Sequence, residues 1–234
     1  MTAAGLTVVP VHGLPEVVEG DRLAALLAEH ADLADGDVVV VTQKVVSKAE
    51  GRTVVLGADE RADYLALVER ESVRVLRRRD ELVISETSHG FVCSNAGVDV
   101  SNVPPGHAAL LPLDADRSAR RIRDGLRARA GVEVGVVVSD TFGRPWRRGL
   151  TDVAIGCAGV AGVVDLRGGT DAVGRPLVST EVCVADELAA AAELVMGKSS
   201  GVPAAVVRGV DPSWLREGSV AAEVVRPPAE DLFR

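Results

Sequence analysis

The stretch Gly131-Val-Glu-Val-Gly-Val-Val-Val-Ser-Asp140-Thr-Phe-Gly-Arg-Pro-Trp-Arg-Arg-Gly149 sets an apolar run against a charged one. Residues 132–138 are rich in β-branched side chains and read as a buried strand, and the strand is expected to break into a polar, glycine-containing loop. Asp140 and Thr141 at the strand end offer a carboxylate and a hydroxyl on rigid backbone, the oxygen ligands that Mg2+ or Mn2+ takes. Arg144, Arg147 and Arg148 follow at once. A cation-binding carboxylate beside guanidinium groups can clamp a transferring phosphoryl group, because both stabilise charge on its oxygens. The residues of this loop alone fit equally a solvated surface turn with Asp140 as a local cap.

The chain has 234 residues, 47% of them hydrophobic but only 3% aromatic, so its core must be built from Val, Ala and Leu. That composition suits a mixed α/β (α+β) structure, and a chain of this length buries a core without covalent staples. It is read as one domain over residues 1–234, at most divided into two lobes, with residues 210–234 as a C-terminal tail. The net charge of -8, from 34 acidic and 26 basic residues, leaves no electrostatic footprint for nucleic acid. Cys93, Cys157 and Cys183 are widely spaced among apolar neighbours and read as free, buried thiols. Residues 1–5 lack a basic leader region and no apolar run approaches membrane-spanning length, so a soluble, cytoplasmic protein without membrane contact is expected.

Taken in order, Leu6 to His12 reads as a strand entering the turn Gly13-Leu-Pro-Glu16. Asp21 is expected to cap a helix running to about Asp32, with Leu23, Leu26 and Leu27 on one face. Val38 to Val41 form an apolar strand, and Thr42 to Lys48 a strand exit whose Lys44 and Lys48 could hold phosphate oxygens. Arg52 to Leu56 read as a return strand. Residues 59–79 are expected to be one helix, ended by Arg77, Arg78 and Arg79, where cations complement the helix dipole. Leu82 to Ser85 is a short strand. Asp99 then lies in a turn-rich passage with Asn95 and Asn102, while His89 has no partner at metal-ligand spacing and reads as structural.

Ala108 to Leu113 is a further strand, and Asp116 opens a basic helix to Ala130, with Ile122 and Leu126 inward and Gly131 as its left-handed terminus. Glu181 to Val184 reads as a strand, residues 186–196 as a helix closed by Gly197, and Ala204 to Val207 as the last strand. Gly197-Lys198-Ser199 is not a P-loop: Ala192 stands where the motif needs glycine, and Lys198 follows a helix instead of starting one. Residues 197–201 remain a polar loop able to touch phosphate.

Assembled, these segments resemble the coenzyme F420 glutamate ligase family, the γ-glutamyl ligases of the glutamate-free deazaflavin. The resemblance is carried by Gly13-Leu-Pro-Glu16, by Thr42-Gln-Lys-Val-Val-Ser-Lys48-Ala-Glu-Gly51, and by His89-Gly-Phe-Val-Cys-Ser-Asn-Ala-Gly-Val-Asp99-Val-Ser-Asn102. It continues through Ser139 to Asp152 and Ala185 to Lys198. The family implies an unusual mixed α/β fold with no Rossmann or P-loop core, assembled as a homodimer. It implies GTP-dependent amide formation between the phospholactyl carboxylate of the deazaflavin and L-glutamate, with further γ-linked additions in some members. Carried over by position, Leu14, Pro15, Glu16, Val17, Gln43, Lys48 and Asn102 would contact GTP, and Asp99, Asp140 and Thr141 would bind Mg2+ or Mn2+, two ions being expected. Gln43 and the Ser199-Ser200 pair depart from the family pattern, the latter in a loop that is often more acidic. Arg144, Arg147, Lys48 and Asp140 are the candidates for the chemical step. The residues by themselves leave open a metal-dependent phosphoester hydrolase and a non-catalytic nucleotide-binding module.

Overall fold

A computed structural model describes residues 5–233; the reading of residues 1–4 as lacking a leader lies outside them. In chain order the elements are β1 (Thr7–Pro10), α1 (Leu23–His30), β2 (Val38–Thr42), α2 (Gln43–Ala49), β3 (Thr53–Val55), α3 (Glu60–Glu71), β4 (Ser72–Arg79), β5 (Leu82–Thr87) and β6 (Val92–Ser94). They continue with β7 (His107–Ala109), α4 (Ala115–Ala130), β8 (Gly135–Arg144), β9 (Arg147–Ala158), β10 (Val164–Asp165), β11 (Glu181–Val182), α5 (Val184–Met196), β12 (Ala204–Arg208) and α6 (Val220–Glu223). The fold is mixed α/β, as composition and family resemblance both lead one to expect.

The central sheet has the order β1-β12-β2-β8-β9, and β2 and β8 lie side by side in parallel. Their valine runs explain the layering. Side chains alternate across a strand, so Val39, Val41, Val136 and Val138 point to one face, where Leu27, Ile122 and Leu126 of α1 and α4 pack on them. Val38, Val40 and Val137 point to the other and meet Leu188, Ala189, Ala192 and Met196 of α5. Helices on both faces let both sides of the central strands be apolar. Smaller sheets, β4-β5-β6 and β3-β7, carry the passage that contains Asp99, which bridges to Ala109.

Several expectations are corrected. The organising strand does not end at residue 138: β8 runs on through Asp140 and Thr141 to Arg144 and turns back as β9, a hairpin in which Thr141 faces Asp152. Pro145 and Trp146 form the turn, Trp146 in the left-handed region at φ 59°. Residues 59–79 are not one helix. Helix α3, capped by Asp59, stops at Glu71, and Ser72–Arg79 is a strand paired with β5, so the arginine triplet lies in a sheet and meets no helix terminus.

The strand exit after Thr42 is helix α2, which starts directly from β2. Asp21 does not cap α1, which begins after Arg22 and ends at His30; its carboxylate instead accepts the Val18 N–H at 2.9 Å. Asp114, not Asp116, caps α4. Of the strand expected at 108–113, only Ala108 and Ala109 are strand.

Both helix endings are as expected, Gly131 closing α4 at φ 69° and Gly197 closing α5; all three cysteines are free, but only Cys93 and Cys157 are buried, Cys183 being half-buried. Among the described residues no helix is long and apolar enough to cross a membrane.

Candidate active site

The parallel pairing of β2 with β8 stops where β2 ends, Thr42 beside Ser139, and a crevice outside the carboxyl ends of such strands is where ligands bind in open α/β sheets. A cavity of about 610 Å3 opens there. Its wall is drawn from segments distant in sequence: Leu14 to Val17 after β1, Thr42 at the end of β2 with Gln43, Lys44, Val45 and Lys48 of α2, Asn102 to Pro104, the hairpin residues Ser139 to Thr141 with Asp152, and Glu193 of α5 with the segment that follows it, from Gly197 to Pro203 without Ser200. The sheet thus brings together Leu14, Pro15, Glu16, Val17, Gln43, Lys48, Asn102, Asp140 and Thr141.

Asp140 sits among like charges. Burial, reinforced by repulsion from Asp99 and Asp152, pushes its carboxyl up to about 7, although the Thr141 backbone N–H and the Lys198 charge pull the other way. Asp99 stands behind the wall, where Lys44 Nζ donates to its Oδ2 at 2.7 Å and to Ser101 Oγ at 2.7 Å. Burial raises the Asp99 pKa, but the bonds from Lys44 and Ser101 outweigh it and hold the carboxyl below its usual range. Lys48 is largely buried along its stem and pairs with the exposed Glu16.

Gln43 is 1% exposed, and its Nε2 donates to Ser47 Oγ at 2.6 Å and Leu110 O at 3.0 Å. Its amide nitrogen is therefore engaged within the protein. Arg144 and Arg147 are not brought to the cavity: both are exposed near the hairpin tip, where Arg144 Nη2 donates to Arg148 O at 3.0 Å. His89 has the structural role expected of it, bonded to Pro112 O at 2.8 Å and stacked on Phe91. No cysteine and no histidine lines the cavity.

Asp152 and Glu193 were missed by sequence reasoning, and Lys198 was read only as part of a polar loop able to touch phosphate. Asp152, 2% exposed, accepts from Ser139 Oγ at 2.9 Å and from Thr141 Oγ1 at 2.7 Å. Lys198 Nζ lies 3.4 Å from Thr141 Oγ1, and its carbonyl accepts from Asn102 Nδ2 at 3.4 Å. Glu193 completes the acidic side, its pKa raised by burial and by Asp152. The available signal was hairpin register: a turn centred on Pro145-Trp146 pairs Thr141 with Asp152, but the run 139–149 reads as a loop until that turn is recognised. Among the described residues no three His, Cys, Asp or Glu side chains converge in a metal-ligating cluster.

The family model described as F420-0:Gamma-glutamyl ligase matches residues 13–209, a span that contains every segment of the cavity wall. The chain belongs to this family. Among its curated relatives, the coenzyme F420:L-glutamate ligase of Methanopyrus kandleri is 43% identical, with 98% of each chain covered. Those of Methanothermobacter thermautotrophicus, at 42% identity over 98% of this chain and 99% of the relative, and of Archaeoglobus fulgidus, at 41% over 97% and 96%, are similar along nearly their whole lengths.

Proposed function

We propose that this protein is a GTP-dependent ligase that joins L-glutamate to the glutamate-free form of coenzyme F420 by an amide bond, adds further γ-linked glutamates where its acceptor site admits them, and works through an acyl phosphate. The relatives' names support the ligation and its two carbon substrates. The observation that carries the mechanistic reading is the composition of the cavity wall: Lys44, Lys48 and Lys198 stand beside Asp140 and Asp152, with no thiol or imidazole among them. Such a wall attracts phosphate oxygens and a hard cation, and its hydroxyls have no imidazole beside them to activate them as acyl carriers. Activation then falls to the substrate itself. Its carboxylate oxygen attacks the γ-phosphorus of GTP and GDP leaves; the glutamate nitrogen next attacks the acyl carbon, and phosphate departs with the former carboxylate oxygen.

In this reading Lys48 holds the phosphates, and Leu14, Pro15, Glu16, Val17, Gln43 and Asn102 line the nucleotide's part of the cavity. Asp140 suits a divalent cation, since among the described residues its carboxylate accepts the Thr141 backbone N–H and no side-chain donor. Asp99 and Thr141 stand next to it as further ligands. Mg2+ or Mn2+ bound there would neutralise phosphate charge during transfer. A homodimer belongs to the same proposal, as do the hairpin-tip residues Arg144 and Arg147 standing apart from the chemistry.

The test follows phosphate release with the deazaflavin and glutamate supplied separately and together, the deazaflavin carboxylate labelled with 18O. Release that requires both substrates and carries one labelled oxygen is the expected result. Productive ligation without label in the phosphate overturns the acyl phosphate. Release without glutamate points to a hydrolase, and GTP binding without any release to a binding module.

A further inference from the structure

The Thr141 hydroxyl has one proton and two lone pairs. The proton is committed: Asp152, buried and fixed on its other oxygen by Ser139, accepts it at 2.7 Å. Thr141 therefore presents only lone pairs to the cavity, as a cation ligand must. The group those lone pairs meet is the Lys198 ammonium, 3.4 Å away. Lys198 is exposed and held at the cavity by its own carbonyl, which accepts from Asn102. Asp140, Asp152 and Glu193 line the same cavity, so the ammonium stands as the counter-charge to these carboxylates. Residues 197–201, Gly-Lys-Ser-Ser-Gly, supply no carboxylate to a second ion at this point.

We propose that Lys198 is a tethered cation of the site, supplying on the Thr141 side the positive charge that a second divalent ion would bring, so that each chain takes one divalent ion and not two. The proposal rests on the ligase reading above; it departs from the two ions that the family resemblance implies and takes Thr141 from the ligands of the ion at Asp140. An ammonium and a divalent ion sharing the Thr141 lone pairs repel each other strongly at the reduced dielectric of a protein surface. Asp140 is left to the single ion, and Lys198 is free to turn its remaining protons toward phosphate oxygens.

The experiment counts Mn2+ bound per chain by the loss of the free-ion electron paramagnetic resonance signal, with GDP saturating, in the wild type and in Lys198→Glu. The exposed loop tolerates the exchange, which a thermal melt verifies. One ion in the wild type and two in Lys198→Glu, the second broadening the spectrum by coupling to the first, is the expected result. Two ions in the wild type overturn the proposal and leave the ligase reading intact. One ion in both proteins removes Lys198 from control of the count. No ion in the wild type overturns both the proposal and the metal-dependent reading beneath it. In a second arm, Lys198→Met is expected to weaken GDP binding at least tenfold; unchanged binding overturns the phosphate-facing role.

Discussion

Burial and two neighbouring carboxylates oppose the charge on Asp140, and that opposition makes it sensitive to pH. Its folded-state pKa of about 7 lies above the ordinary carboxylate value of 3.8. The sign follows: below the unfolded value both states are protonated, and as pH rises through the window from about 4 to 7 the folded state alone retains the proton. The metal-free protein therefore loses stability across that window and levels off above it. Melting curves of the wild type and Asp140→Asn, taken from pH 4 to 8 in chelator, are expected to diverge in favour of the variant as pH rises. On the proposed cation site, adding Mn2+ is expected to reverse the order, because the ion would relieve the repulsion only where the carboxylate is present. The same substitution is expected to abolish most turnover with the fold intact.

The cysteines give the opposite case. Burial pushes Cys93 and Cys183 each up to about 12, so almost no thiolate exists at neutral pH and the thiols are poor nucleophiles. Iodoacetamide at pH 7.5 is expected to label neither in the native protein and both after denaturation. Rapid native labelling with loss of ligation would reopen a thiol mechanism.

Among elements, the hairpin β8–β9 does the most to build the site, and its packing is tight where α4 crosses it. A Cβ added at Gly156 would lie 2.3 Å from the backbone carbon of Ala115 and 2.4 Å from its oxygen, atoms that cannot rotate away. Gly156→Ala is expected to destabilise by about 1–3 kcal/mol, a fall of roughly 2–4 °C in melting temperature per kcal/mol for a chain of this size. Asp116 ties the same crossing to the C-terminal segment: it accepts the N–H groups of Cys157 at 2.8 Å, Val220 at 2.9 Å and Ala221 at 3.1 Å, and the Ser219 hydroxyl at 2.7 Å. Asp116→Ala leaves these donors without an acceptor and is expected to cost about 3 kcal/mol, seen as a lower denaturant midpoint with earlier proteolysis after residue 210.

The sheet's core strands were legible in the sequence because valine runs flanked by turns have few alternative readings. Residues 72–79 were not. Val73, Val75 and Leu76 follow an amphipathic helix without a glycine or proline to mark its end, and helix spacing continues through them by coincidence; pairing with β5, a tertiary contact, makes them strand. Helix α2 was missed for a related reason, since it leaves β2 at Thr42 with no loop and no side-chain cap. The site divides the same way: motifs pointed to Asp99, Asp140 and Lys48, but Asp152 and Lys198 matter only through partners that the folded chain brings to them.

At the scale of the molecule, the cavity is a meeting of five chain segments on one end of the central sheet, running from Leu14 to Pro203. No one of them makes a site alone. A ligand that touches all five is bound by the folded chain and not by the unfolded one, so on the proposed function nucleotide and cation would raise global stability by mass action, by about 2.7 kcal/mol at a hundredfold excess over Kd. With GTP and Mn2+ present together, the whole transition is expected to move up as one cooperative step of several degrees, measured by calorimetry. Lys48→Ala is expected to retain its ligand-free melting temperature to within what loss of the largely exposed Glu16 partner allows, since such surface pairs contribute at most about 1 kcal/mol. The ligand-induced rise should nevertheless shrink, because the phosphates lose a cation in the ground state, and turnover and GTP affinity should fall together for the same reason. A Lys48→Ala protein that keeps the full rise while losing turnover would move Lys48 from nucleotide binding to the transferring phosphoryl group alone. Full turnover with full rise would remove it from the site.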